Sequence, residues 1–336
     1  MTEAIVKLHE RAEAVDRMLQ QNESALASEP DSFSHKLSRQ SLREHLADIT
    51  CQAAVEFLSL GNYADAEREF RKAFSLSEGK KHILLNSVLL HNENDWARAI
   101  PLLRMLLRID PTFELARTNL AIAYLNLGVE KVTTPNPTEE DRHSGLELFY
   151  FALGAATETD VVDQIRENLA AFHTNLGIKC HEAGDPGGCV GRMRRACEAL
   201  PSEQARRNLG AAYAHLALFF MDNQDYQQAI VYFERAEDAG LVQPELINDY
   251  GIALAKVGRT AEARLAFERA LQIVDSQSVR ANLTLLLKHG SNGGPVTEPV
   301  IKAGSDIQAN SLEALFTQAF FPEFVPSAIQ PYQQVA

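Results

Sequence analysis

The chain has 336 residues, 46% hydrophobic and only 7% aromatic, with a single tryptophan, Trp96, and a formal net charge of -13. No stretch alternates Val, Ile and Thr as strands do, so the composition fits an all-α chain. The acidic balance excludes a phosphate backbone as the main ligand, because nucleic-acid binding rests on Lys and Arg neutralising phosphates. The opening MTEAIVKLHERAEAV lacks a continuous apolar run, and nothing approaches the roughly 20 apolar residues that span a bilayer. Cys51, Cys180, Cys189 and Cys197 are too few for the disulfide framework of a secreted scaffold. The expectation is a cytoplasmic protein with reduced thiols, no nucleic-acid or membrane partner, and no cofactor.

In chain order, Ile5, Leu8, Ala12, Val15 and Leu19 recur three or four apart and predict an amphipathic helix over residues 2–27. Glu29, Pro30 and Asp31 break it. The pattern resumes at Phe33 with Leu37, Leu42, Leu46 and Ile49, predicting an unusually long second helix whose first part, with the helix before it, forms an N-terminal cap over 1–46. Ala54, Phe57, Gly61, Tyr63, Ala66, Phe70 and Ala73 then mark a helical hairpin over about 47–77. A second, over about 80–111, is marked by Trp96, Ala99, Leu103, Leu106 and Pro111. A third opens with NLAIAYLNLG at Asn119 and is interrupted by the polar stretch VEKVTTPNPTEEDRHS, where Pro135 and Pro137 forbid continuous helix; its second helix resumes at Gly145. A fourth covers about 170–201. The fifth opens with NLGAAY at Asn208 and turns late, at Asn223 to Tyr226, leaving seven extra residues in its first helix. Seven residues are close to two turns, so the buried face is not rotated.

The sixth hairpin, Ile247 to Leu271, states the pattern most clearly. Gly251 and Ala263 are small where two antiparallel helices cross, Leu254 and Phe267 fill the seam, and Ala270 leaves room for a neighbour. Gly258 is placed to end the first helix in a left-handed conformation, and Thr260 to cap the second. Ala229 and Ala263 lie 34 residues apart. These residues resemble the tetratricopeptide repeat (TPR), whose period is about 34 residues. The resemblance implies a right-handed α-solenoid of about six hairpins over 47–289, closed by a C-terminal capping helix over about 277–289. It further implies a protein-interaction adaptor or scaffold, not an enzyme, that takes an extended segment of another protein in the groove lined by the first helices.

Within that frame an asparagine recurs just ahead of the Leu-Gly pair, or its equivalent, in successive first helices, at Asn119, Asn175, Asn208 and Asn282, with Asn248 displaced by one. An amide both donates and accepts, which suits a sequence-tolerant grip on a peptide backbone. The row resembles the asparagine ladders of peptide-binding repeat proteins. Arg207 precedes Asn208 and, with Arg192, Arg194, Arg195 and Arg206, concentrates positive charge suited to an acidic segment or a carboxylate. Cys51 and Val55 stand where the Lys and Asn of a chaperone-tail clamp would be expected. Two other readings stay open: a self-assembling structural component, and a metal or redox site at Cys180, His181, Cys189 and Cys197. The spacing weakens the second, because eight helical residues separate Cys189 and Cys197 by about 12 Å of rise, whereas metal–sulfur bonds are about 2.3 Å.

After Gly290 the sequence reads as a flexible linker, 290–309, and then a short amphipathic helix in the tail, 310–336. Asn310 is placed to cap it and Glu313 to reach back, with Leu312, Leu315, Phe316 and Phe320 on one stripe before Pro322, and Phe324 beyond. The expectation is a docking segment, either on the chain's own groove or on another protein.

Overall fold

A computed structural model describes residues 2–76 and 95–289. The first helix expected for the second hairpin and the whole of the tail fall outside the described residues. Within them the chain is helical throughout, with 13 helices and no strand: α1 (Glu3–Ser28), α2 (Phe33–Ser59), α3 (Tyr63–Leu76), α4 (Trp96–Ile109), α5 (Glu114–Thr133), α6 (Glu139–Ala155), α7 (Thr159–Glu182), α8 (Pro186–Ala199), α9 (Glu203–Asp222), α10 (Tyr226–Asp238), α11 (Pro244–Lys256), α12 (Thr260–Ile273) and α13 (Gln277–His289). The all-α expectation holds, and consecutive helices pack in pairs. Contacts divide the chain into two compact units, with the boundary at Ile165 and Arg166 inside α7.

In the first unit, α1 packs on α2, α2 on α3, α4 on α5 and α5 on α6. Val15 and Leu19 of α1 meet Leu46 and Ile49 of α2, while Ile5 joins Phe57 and Ala66. The interhelical stretch 134–138 is shorter than the polar insertion suggests. α5 runs on to Thr133, and α6 already starts at Glu139. What restarts the helix is a capping box: the Asp141 N–H donates to Thr138 Oγ1 (3.1 Å) and the Thr138 N–H donates to Asp141 Oδ2 (3.1 Å). Two donors that helix geometry leaves orphaned are thereby satisfied.

In the second unit, α8 packs on α9, α9 on α10, α10 on α11, α11 on α12 and α12 on α13. The fully buried Phe267 fills the seam of the α11–α12 hairpin, where a methyl on Gly251 would lie 2.8 Å from its ring. Burying such a ring stabilises by about 1.5–3 kcal/mol, which is why the facing position is glycine. Gly258 ends α11 at φ 85°, the left-handed conformation expected of it. Thr260 does not cap α12: it is the first helical residue, and Arg259 holds the cap position without a side-chain hydrogen bond. α9 has 20 residues and α11 has 13, a difference of the expected seven. α7 begins at Thr159, eleven residues ahead of the expected start, with Val161, Ile165 and Leu169 buried at a spacing of four.

Candidate functional site

The asparagines predicted to line a groove are mostly inside the packing. Asn119 of α5, in the first unit, is 0% exposed. In the second unit Asn208 of α9 is buried and accepts a bond from Gln204 Nε2 (2.9 Å). Asn248 of α11 and Asn282 of α13 are 0% and 1% exposed, and Asn282 Nδ2 donates to Asn248 Oδ1 at 2.9 Å across 34 residues. Burying an amide without a partner is costly, and pairing two amides one period apart removes part of that cost while fixing the register of the helices that carry them. Asn175 of α7 differs. It is half-buried, and its Oδ1 is shielded without a hydrogen-bond partner among the described residues.

Arg207 is exposed and pairs with Glu203, one turn before it on α9. Arg194 pairs with Glu198 at 3.7 Å. Arg192, Arg195 and Arg206 make no ion pair among the described residues; Arg192 is half-buried and the other two are exposed. A methyl on Gly177 would meet Met193 Cε at 2.9 Å and Arg192 Cβ at 3.3 Å, which places that face of α7 against α8. His173 lies one turn before Gly177 on the same stripe. It is 1% exposed, and its Nδ1 has no partner among the described residues. Burial pushes its pKa down to about 4, assisted by the positive charges of Arg192 and Arg195, so the ring is neutral at physiological pH.

Three further groupings were not singled out from composition and spacing, although His181 itself had been, beside the cysteines. His181 of α7 and His215 of α9 touch through their Nδ1 atoms at 3.2 Å, with rings edge to face. Their separation of 34 residues, the repeat period, is the sequence signal that would have found them. Phe220 stacks on Tyr232 at 5.5 Å between centroids, and Arg235 lies over Tyr232 at 5.1 Å. Tyr250 donates its hydroxyl proton to Glu234 at 3.0 Å, and burial and that carboxylate push its pKa up to about 12. All four cysteines are free thiols, and burial holds Cys189 protonated with a pKa of about 12. Leu312, Leu315, Phe316, Phe320 and Phe324 lie outside the described residues.

Residues 210–239, from inside α9 through the whole of α10, match the sequence profile of the tetratricopeptide repeat. This hairpin is a tetratricopeptide repeat. Its TPR positions are the ones that close the hairpin: Ala229, Phe233 and Ala236 are all buried. Among solved structures, the chain is similar to the TPR domain of P58(IPK), with 13% identity over 72% of this chain and 64% of that one and a TM-score of 0.30. It is similar to YrrB, a TPR protein with an unusual peptide-binding site, with 17% identity over 62% and 93% and a TM-score of 0.24. It is also similar to the TPR2AB domain of yeast Sti1 in its pHSP90 complex, with 15% identity over 82% and 98% and a TM-score of 0.25. The chain thus spans 64% of the P58(IPK) domain. No curated protein sequence matches it. Among the described residues, no helix is long and apolar enough to cross a membrane.

Proposed function

We propose that the chain is a cytoplasmic adaptor or scaffold that binds an extended, acidic segment of another protein along the first helices of its TPR hairpins, a binding role with no catalytic step. The observation that carries this reading is the TPR hairpin at 210–239 beside Arg192, Arg195 and Arg206 on the packed helices α8 and α9, three guanidinium groups with no carboxylate partner among the described residues. An unpaired guanidinium offers a planar fork of donors to a carboxylate, and such charge-assisted bonds are about twice as strong as neutral ones. Asn175 adds an acceptor without a donor among the described residues, so a backbone N–H from a bound segment is a suitable partner once the site opens. In the same reading, the tail residues Leu312, Leu315, Phe316, Phe320 and Phe324 dock on the groove or recruit a second protein.

The test is affinity capture from lysate with the full chain as bait, repeated with the Arg195→Glu/Arg206→Glu variant. The expected result is loss of the main partners with helicity and melting unchanged, and capture by the parent protein that weakens as salt rises. Equal capture by both proteins would remove the arginines from the site.

A further inference from the structure

The two histidines that meet across one repeat bring two imidazole nitrogens together on neighbouring helices. His181 and His215 lie on the first helices of successive hairpins and place Nδ1 3.2 Å from Nδ1. Two imidazole nitrogens bound to zinc at about 2.0–2.1 Å and separated by that distance subtend about 100° at the metal, close to the tetrahedral angle. Both rings are half-buried, which leaves an approach from solvent. We infer that His181 and His215 form a two-histidine chelate for a late first-row divalent cation, Zn²⁺ or Ni²⁺, bridging α7 and α9 with the remaining coordination positions open to water.

The chemistry balances without a net proton. As a hydrogen-bonded pair, one imidazole donates its Nδ1–H to the other's Nδ1 lone pair. On chelation that proton leaves for solvent and the same ring takes one up at Nε2, so both Nδ1 lone pairs face the metal and both rings stay neutral. Imidazole nitrogen favours zinc and nickel, whereas magnesium and calcium prefer oxygen. Among the described residues no group of three His, Cys, Asp or Glu side chains converges on one point, so the chain supplies two ligands and solvent supplies the rest. The half-buried Cys180 neighbours His181 in sequence. It serves as the control.

The test is calorimetric titration of the full-length, tag-free protein with ZnCl2, NiCl2 and MgCl2 at pH 7.5, repeated on His181→Gln, His215→Gln and Cys180→Ser. One equivalent of zinc or nickel is expected, no magnesium, at least a tenfold loss of affinity in either histidine variant, and no change in Cys180→Ser. Long-range ¹H–¹⁵N spectra of the parent protein give a readout that does not depend on the variants folding, and both Nδ1 resonances should shift together as zinc saturates. Absence of saturable binding, equal affinity in the histidine variants, or movement of only one imidazole would overturn the chelate and leave a hydrogen-bonded pair.

Discussion

Removing either member of the Asn248–Asn282 pair tests whether these amides hold helices together. Asn282→Ala deletes the donor of the 2.9 Å bond and leaves Asn248 Oδ1, on a residue that is 0% exposed, without it. Orphaning a buried polar group costs about 1–3 kcal/mol, while the net worth of a satisfied bond is about 1 kcal/mol. Each single alanine variant should therefore lose about 1–3 kcal/mol. The double variant should lose less than the two combined, by a coupling energy of about 1 kcal/mol, because no orphan remains. Urea unfolding at 25 °C, followed by far-UV circular dichroism with equal m-values required, measures all four corners of the cycle. Each kcal/mol should also lower the melting temperature by about 2–4 °C for a unit of this size. Coupling below about 0.3 kcal/mol would refute the reasoning. So would single variants that keep full stability but lose a bound partner, since that is the behaviour of ligand-facing amides.

His173 makes the fold acid-sensitive. Its pKa of about 4 lies below the ordinary 6.5, so between those values the unfolded chain takes up a proton that the folded chain refuses, and stability falls as pH drops through that window by at most about 3 kcal/mol. His215 shifts in the same direction, and a His173→Gln variant should show a flatter dependence of melting temperature on pH. Cys51 and Cys189, both 0% exposed, should resist iodoacetamide in the native protein while the half-buried Cys180 and Cys197 react, as peptide mass spectrometry before and after denaturation would show. Gly258→Ala forces a side chain into φ 85° and should cost about 1–2 kcal/mol in the same urea assay, with equal stability excluding the left-handed turn.

What could be read from the residues was the part that local chemistry decides. The break at Glu29 to Asp31, the long α2, the glycine at 258, the seven-residue extension of α9 and the closing helix over 277–289 each follow from periodicity or from one residue's backbone preference. The start of α7 was equally legible from Val161, Ile165 and Leu169, but a frame anchored on the later Asn-Leu-Gly motif passes over it. The insertion of the third hairpin read as loop because its polar residues dominate, although the Thr138 and Asp141 pair announces a helix start. The asparagines show the deeper limit. Sequence gives an amide's position but not who satisfies it, and for Asn248 the partner is another asparagine one period away. His181 was named only beside the cysteines, and its pairing with His215 was missed for the same reason, since only stacked repeats bring the two together.

The interhelical bonds have a consequence for how the chain is made. Glu67 pairs with Arg108, Thr118 donates to Glu158, Glu237 pairs with Arg269, and His181 and Asn248 each meet a residue 34 positions later. Each link reaches about one repeat along the chain, so the loops closed in forming them stay short however long the array is, and their entropic cost stays small. A ribosome adding 5–20 residues per second would therefore deliver the partner of each side chain within seconds of the side chain itself. Folding then advances as a front that follows synthesis, with exposed apolar surface at any moment confined to the newest hairpin, and a substitution at one seam stalls that front locally without unravelling what lies behind it.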